Sequence, residues 1–290
     1  MEYAYSMSEK VILVTGATSG IGLETVHQLA AQGARLVLAC RNVEKAESVA
    51  ADLRASGSPE VGAVHLDLAS LASVRRCAEK LTQRGEPIDV LVNNAGTFAM
   101  ERRETEDGFE LTFGVNHLGP FLLTNLLVPL LRAAPHARIV NVTSAAYRYG
   151  SLRLDDLQRK HWRGHIGWGG FRAYAASRLA TVLFTRELSR RVEAEGITAN
   201  SVHPGHVQTN IFPTAPGLIS VVMRMTSRFR MSAAEGARPV VRLACDEDVA
   251  GVSGEYFNRF DREDVPERLA HPELVHGLWE VSAELTGVGA

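Results

Sequence analysis

Apolar residues along this chain follow two spacings. Short runs rich in β-branched residues have the length of buried strands: Val11–Thr15, 35–39, 61–66, 88–92, Arg138–Val142 and Thr198–His203. Between them, apolar positions recur three and four residues apart. Leu23, Val26, Leu29 and Ala30 share one helical face; 46–54 reads as a helix; and Leu71, Val74, Ala78 and Leu81 form a stripe behind a Ser70 cap. Most of 109–131 reads as one long helix, and another runs from Phe171 through Leu179, Val182, Leu183, Phe184 and Leu188 to Ala194. Ala233–Cys245 is helical, 254–257 a last short strand, and 272–285 a final helix. Regular alternation of strand and helix predicts an α/β fold with helices on both faces of a mostly parallel sheet. One domain is expected over 1–290, with a flexible stretch at 1–9 and a C-terminal tail at 259–290.

The polar residues that interrupt this pattern gather at strand ends, where ligands bind in open parallel sheets. After the first strand come Gly16, Ala17, Thr18, Ser19, Gly20, Ile21 and Gly22, leading straight into a helix. Free backbone N–H groups and the helix dipole make such a turn a phosphate cradle. The second strand ends in Cys40, Arg41 and Asn42, with no acid before Glu44. A carboxylate there suits the ribose of NAD, and an arginine the extra phosphate of NADP, so NADP(H) is expected. The alternative is an arginine that only caps a strand end in solvent. Asp67 and Leu68 close the third strand, Asp67 as acceptor from an adenine amino group or as a turn cap. Asn93, Asn94, Ala95 and Gly96 close the fourth, and Ser144 follows the fifth. Pro204, Gly205, Val207 and Thr209 follow the sixth, placed to meet a planar amide.

On the helix that begins near Phe171, Tyr174 and Arg178 lie four apart and share a face. A phenol held beside a fixed cation is a candidate acid, because the cation stabilises the phenolate. Asn116, inside the long helix, is either a satisfied core amide or the holder of an ordered water. His161 and His165 have no third ligand at useful spacing, so no metal site is expected. Residues 210–232 mix apolar and basic side chains and are expected to form a substrate lid, the alternatives being a surface amphipathic helix or a segment that adheres to a membrane surface.

Composition narrows the function classes. With 31 basic and 33 acidic residues the net charge is −2, which gives no basic excess for nucleic acid. Cys40, Cys77 and Cys245 are scattered and odd in number, so neither a disulfide framework nor a structural zinc site is expected. No apolar run reaches the roughly 18–20 residues of a membrane-spanning helix. Residues 1–10 lack the apolar region of a signal peptide. A cytoplasmic location and no transmembrane segment are therefore expected.

These pieces in this order resemble the short-chain dehydrogenase/reductase family. The residues that carry the resemblance are 15–22, 93–96, Asn116, Ser144, Tyr174 with its cation four residues on, and 204–209. The retinol-dehydrogenase-like NADP(H)-dependent branch is most similar, through Arg41, Asn116 to Gly119 and Asn141 to Ser144. The resemblance implies a doubly wound Rossmann-type sheet of about seven strands in the order 3-2-1-4-5-6-7, and a homodimer or homotetramer. It implies oxidoreduction between a carbonyl and an alcohol on an apolar small molecule. Tyr174 would act as general acid/base and Ser144 as hydrogen-bond donor to the same oxygen, with Asn116 in a proton relay and Thr209 and Val207 on the carboxamide. One departure stands out: the family has lysine where this chain has Arg178, and the two are not interchangeable. Drift with activity kept is one explanation. The others are a non-redox enzyme on the same fold, a cyclase, dehydratase or epimerase using Tyr174 and Arg178, and a catalytically silent NADP(H)-binding sensor.

Overall fold

The computed structural model describes residues 7–58, 60–159, 168–207 and 231–289. Its strands are β1 (Val11–Thr15), β2 (Arg35–Cys40), β3 (Val61–His65), β4 (Val90–Asn93), β5 (Arg138–Val142), β6 (Thr198–His203), β7 (Tyr256–Asn258) and β8 (Asp261–Glu263). They form one sheet in the order β3-β2-β1-β4-β5-β6-β7-β8. Every pairing is parallel except β7 with β8. The expected order therefore holds over seven strands, and the eighth is an addition. β8 reads Asp-Arg-Glu and has no apolar residue to signal it. It returns from β7 through Arg259 and Phe260, with Arg259 at φ 59°, and places charges on the sheet edge, which discourages further strand pairing.

Among the described residues, seven α-helices longer than one turn cover the sheet: α1 (Gly20–Ala31), α2 (Val43–Ala55), α3 (Leu71–Arg84), α4 (Gly119–Arg132), α5 (Trp168–Val192), α6 (Ala233–Cys245) and α7 (Pro272–Thr286). All of β1 is buried, and its side chains alternate between two layers. Ile12 and Val14 pack with Val26 and Leu29 of α1 and with Val240 of α6. Leu13 joins Val74 and Leu81 of α3, Phe121 of α4 and Phe184 of α5 on the opposite face. A strand sealed on both sides has to be apolar throughout, which is why the run reads as continuous rather than alternating. In the C-terminal stretch, α7 packs its Trp279 and Ala283 into the same layer as α4 and α5.

The long helical stretch expected over 109–131 is not uniform. A single α turn at Leu111–Phe113 passes into a π turn at Gly114–Leu118 and then into α4. Joined end to end, Leu111–Arg132 makes 22 residues that are long and apolar enough to cross a membrane by length and composition. The expectation that no such run exists is corrected. Its unbroken apolar runs are shorter than that, but the helix tolerates the isolated polar residues between them. This helix is 72% buried inside the fold, as a core helix between sheet and solvent layer would be.

The π turn holds His117 in an aromatic surround, with ring centroids 4.9 Å from Phe113 and 6.0 Å from both Phe121 and Phe184. Its Nε2 shares a hydrogen bond with Ser282 of α7 at 2.7 Å. Burial pushes the imidazole down to about 3, and burial likewise lowers His203 to about 4. Both rings are neutral in the folded chain, while the unfolded chain protonates them below its ordinary value near 6.5. Their contribution is complete above pH 6.5 and is lost as pH falls toward about 4 for His203 and about 3 for His117. Urea unfolding at pH 7 and pH 5 should show a loss approaching ~1.4 kcal/mol per pH unit for each ring. Equal midpoints at the two pH values contradict this assignment.

Candidate active site

β1 has β2 on one side and β4 on the other, so the chain reverses direction across the sheet at the β1/β4 boundary. A crevice opens beyond the carboxyl ends of the strands at such a point. Here it is a cavity of about 900 Å³. It is lined by Gly16, Thr18, Ser19, Gly20, Ile21, Gly22, Arg41, Asn42, Asp67, Leu68, Asn94, Ala95, Gly96, Ser144, Tyr174, Arg178, Pro204, Gly205 and Val207. Asn116 lies one layer behind the wall. Thr209 and residues 210–230 of the expected lid are outside the described residues, as are His161 and His165. Val207 and Met231 pair in an isolated parallel bridge.

The glycine turn is shaped by close approach. Gly16 sits at φ 69°, a left-handed conformation that side chains disfavour. A Cβ on Gly22 would collide with the Gly16 carbonyl and the Asn94 amide. Asn94 braces this turn rather than facing a ligand with its amide. Its Nδ2 donates to the carbonyls of Thr15 (2.9 Å) and Gly16 (3.3 Å), and its backbone N–H donates to the Thr15 hydroxyl (3.0 Å). Two further polar residues have local duties. Asn42 accepts from Lys45 N–H at 2.8 Å to cap α2, and Asp67 Oδ1 accepts from Ala69 N–H at 2.9 Å to cap its turn. Arg41 is exposed at the cavity rim.

Tyr174, Ser177 and Arg178 are fastened to two neighbouring elements. Arg178 donates from Nη1 to the Val142 carbonyl at 3.1 Å, and the Thr143 hydroxyl donates back to the Arg178 carbonyl at 3.0 Å. These bonds lock α5 to the end of β5, directly before Ser144. Asn116 accepts from Thr97 N–H (2.7 Å) and donates to the Thr97 carbonyl (2.9 Å) and the Ser177 hydroxyl (3.0 Å). Ser177 in turn donates to the Tyr174 carbonyl at 2.8 Å. The Asn116 side chain is thus an amide engaged in holding the Tyr174 turn. Deeper still, Asn93 donates to Asn141 (2.9 Å) and Thr124 (3.0 Å), and Asn141 donates to Thr185 (2.9 Å), tying β4 and β5 to their helices.

The Tyr174 ring meets Phe98 edge-on at 5.6 Å and the Arg178 guanidinium, 4.9 Å from the ring centroid. Arg178 is only 3% exposed, has no carboxylate partner among the described residues, and keeps its buried Nε unpartnered. An unpaired buried cation is costly, and a ligand rich in hydroxyl or phosphate oxygens would relieve it. Ser144 Oγ accepts from Ala146 N–H at 3.2 Å, which starts a 3₁₀ turn over Ala145–Tyr149. That turn brings Arg148 and Tyr149 into the cavity wall, and Phe171, His203 and His206 join them. Sequence periodicity missed these residues. The signal available was their position, since Arg148 and Tyr149 follow β5 closely and His203 ends β6.

The profile of the family described as short chain dehydrogenase matches residues 10–154 and 162–216. Retinol dehydrogenase 14 of Mus musculus is 40% identical over 296 residues, covering 97% of this chain and 87% of its own. A crystal structure of an uncharacterised protein from Mycobacterium paratuberculosis aligns with TM-score 0.78 and 32% identity, covering 97% of this chain and 95% of that one. A blue fluorescent protein from a metagenomic library, crystallised with NADPH, aligns with TM-score 0.67 and 30% identity over 87% of this chain and 97% of its own.

Kinship with a retinol dehydrogenase overturns the expected cytoplasmic location. The helical stretch Leu111–Arg132, 72% buried in the fold, also passes the length and composition test for a membrane span. The earlier inference rested on the lack of such a stretch, and that premise does not hold. Matched by the family profile over most of its length and 40% identical to a relative over 97% of it, this chain belongs to the short-chain dehydrogenase family.

Proposed function

We propose that this chain is an NADP(H)-dependent oxidoreductase that interconverts a carbonyl and a primary or secondary alcohol on an apolar small molecule. The single observation that carries the reading is that one cavity contains the glycine turn, Arg41, Ser144 and Tyr174. The residues fit the cofactor: the glycine turn, with Gly16 at φ 69°, leads directly into the N-terminus of α1 at the cavity, and Arg178 lines the same cavity. Arg41 at the rim suits a 2′-phosphate, with Asn42 beside it. A related structure was solved with NADPH. Bound NADP(H) supplies or accepts the hydride, and the chain's residues manage the proton and the charge.

Tyr174 donates its phenolic proton to the carbonyl oxygen in reduction and accepts one from the alcohol in oxidation. Ser144, with its oxygen already engaged by Ala146 N–H, has its hydroxyl hydrogen available to the same substrate oxygen. Arg178 places a fixed positive charge 4.9 Å from the centroid of the phenol ring and holds that ring in place. Tyr149, Phe171, Leu111, Val115 and Val142 line the wall and suit an apolar substrate. Val207, with Pro204 and Gly205, would hold the carboxamide.

The test is reduction of a panel of apolar aldehydes and ketones, followed by NADPH consumption. Turnover with NADPH should exceed that with NADH, and Arg41→Ala should weaken NADPH binding about 10- to 100-fold. That range is what losing one charge-assisted contact of ~1.5–3 kcal/mol implies. NADH affinity should barely change. Equal loss for both cofactors would show that Arg41 does not read the phosphate.

A further inference from the structure

Gly96 lies just past the end of β4, and its backbone is outside the left-handed range, so an alanine could adopt the same conformation without strain. Space forbids the alanine instead. A Cβ at this position would collide with Nη2 of Arg178, and would stand 3.2 Å from the Asn116 Oδ1 and 3.3 Å from the Arg178 Cζ. The absent side chain is what lets the Arg178 guanidinium lie where it does.

Neither partner can easily move aside. The backbone at Gly96 is pinned on both flanks: the Ala95 N–H donates to the Thr15 hydroxyl at 3.0 Å, and Thr97 exchanges two bonds with the Asn116 amide. The guanidinium donates from Nη1 to the Val142 carbonyl at 3.1 Å and lies 4.9 Å from the Tyr174 ring centroid. Swinging it away from position 96 gives up the carbonyl, the ring or both. A surface arginine would yield to a methyl group, but this one is 3% exposed and enclosed on every side that it could take.

The two contacts of the guanidinium lead to the two groups of the candidate chemistry. Val142 stands two residues before Ser144, and Tyr174 one helical turn before Arg178. A rigid plane that touches both fixes the end of β5 against the phenol. Lysine would not do this in the same way, because its ammonium is a point charge on a flexible stem, with no plane to lie against the ring while one arm holds the carbonyl. It would also leave unfilled the space beside position 96 that Nη2 occupies.

We propose that Gly96 and Arg178 are a fitted pair that sets the spacing of Ser144 and Tyr174. In this chain, arginine at position 178 is built into the site, and the lysine usual in the family would serve it less well. Gly96 acts through Arg178, and Arg178 through Val142 and Tyr174, so both are positioning residues. The fit of the pair stands on its own geometry; its effect on turnover rests on the oxidoreductase reading.

The test is a cycle of Gly96→Ala, Arg178→Lys and the two together. In thermal melts, Gly96→Ala should lower the midpoint of the parent by about 2–4 °C, as overpacking does, and that of Arg178→Lys by less than about 1 °C, because Nη2 is gone. Equal shifts in both backgrounds mean that the methyl group does not meet the guanidinium, and the pair falls. On the panel of apolar carbonyls, each single variant should lower kcat about 10- to 100-fold through misplaced groups, while NADPH affinity by fluorescence titration stays within about threefold. The double variant should be no slower than Arg178→Lys alone. Losses that multiply, or Arg178→Lys turning over as fast as the parent, overturn the proposal. So does a loss of NADPH affinity from Gly96→Ala that persists in the Arg178→Lys background, since the methyl group would then meet the cofactor. If the parent reduces no carbonyl, the oxidoreductase reading fails and the melts still decide the pair.

Discussion

Tyr174→Phe should reduce turnover about 10²- to 10⁴-fold, the range expected when a positioned general acid is removed. The ring is held by contacts that phenylalanine preserves. Phe98 meets it edge-on, the Arg178 guanidinium lies against its face, and the backbone turn is pinned through Ser177 to Asn116. The variant should therefore keep its fold and its NADPH affinity while losing kcat. Stopped assays over a range of aldehyde concentrations, alongside fluorescence titration with NADPH, separate these quantities. A residual rate within about tenfold of the parent would remove Tyr174 from the proton step. Loss of NADPH affinity instead would make it a cofactor-positioning residue.

Gly22→Ala carries the second large effect. Its new methyl group would overlap the Gly16 carbonyl and the Asn94 amide, so either the turn or the amide must move. The amide is fixed by its bonds to Thr15 and Gly16, which couples the overlap to the end of β1. Overpacking of this kind costs about 1–3 kcal/mol. Since the displaced backbone is the proposed phosphate cradle, NADPH affinity should fall about 10- to 100-fold. Gly62→Ala is the control: it sits in β3 with nothing within 4 Å of an added Cβ. Titration should show normal binding for Gly62→Ala and weak binding for Gly22→Ala. Equal affinities would mean that the turn does not meet the cofactor.

The sheet was legible because buried parallel strands must be apolar on both faces, so β1 to β6 appear as dense runs. Strand ends were legible for a related reason. Polar residues tolerated beside a buried run, such as Asn94, Ser144 and Arg41, stand out against it. β8 was not legible, since an edge strand of Asp, Arg and Glu has no buried face to mark it. The π turn at Gly114–Leu118 was hidden too, because one extra residue in a helical turn barely changes apolar spacing.

The duties of individual polar groups depended on three dimensions. Asn116 read equally as a satisfied core amide or as the holder of a water, and contacts from distant segments show its amide engaged by Thr97 and Ser177, as the Asn94 amide is by Thr15 and Gly16. Arg178 looked like a charge of open role. In the fold it is sealed between the Val142 carbonyl, Gly96 and the Tyr174 ring.

The sequence by itself determined the layered α/β architecture, the glycine turn between the first strand and the first helix, and the pairing of Tyr174 with a cation on one helical face. Each of these depends on neighbours within a turn or a strand, where spacing along the chain equals spacing in space. Tertiary structure alone decided which polar atoms are engaged and which remain open to a ligand. That depends on contacts between segments tens of residues apart, such as Asn116 with Thr97 and Ser177, and pattern along the chain has no memory of such distances.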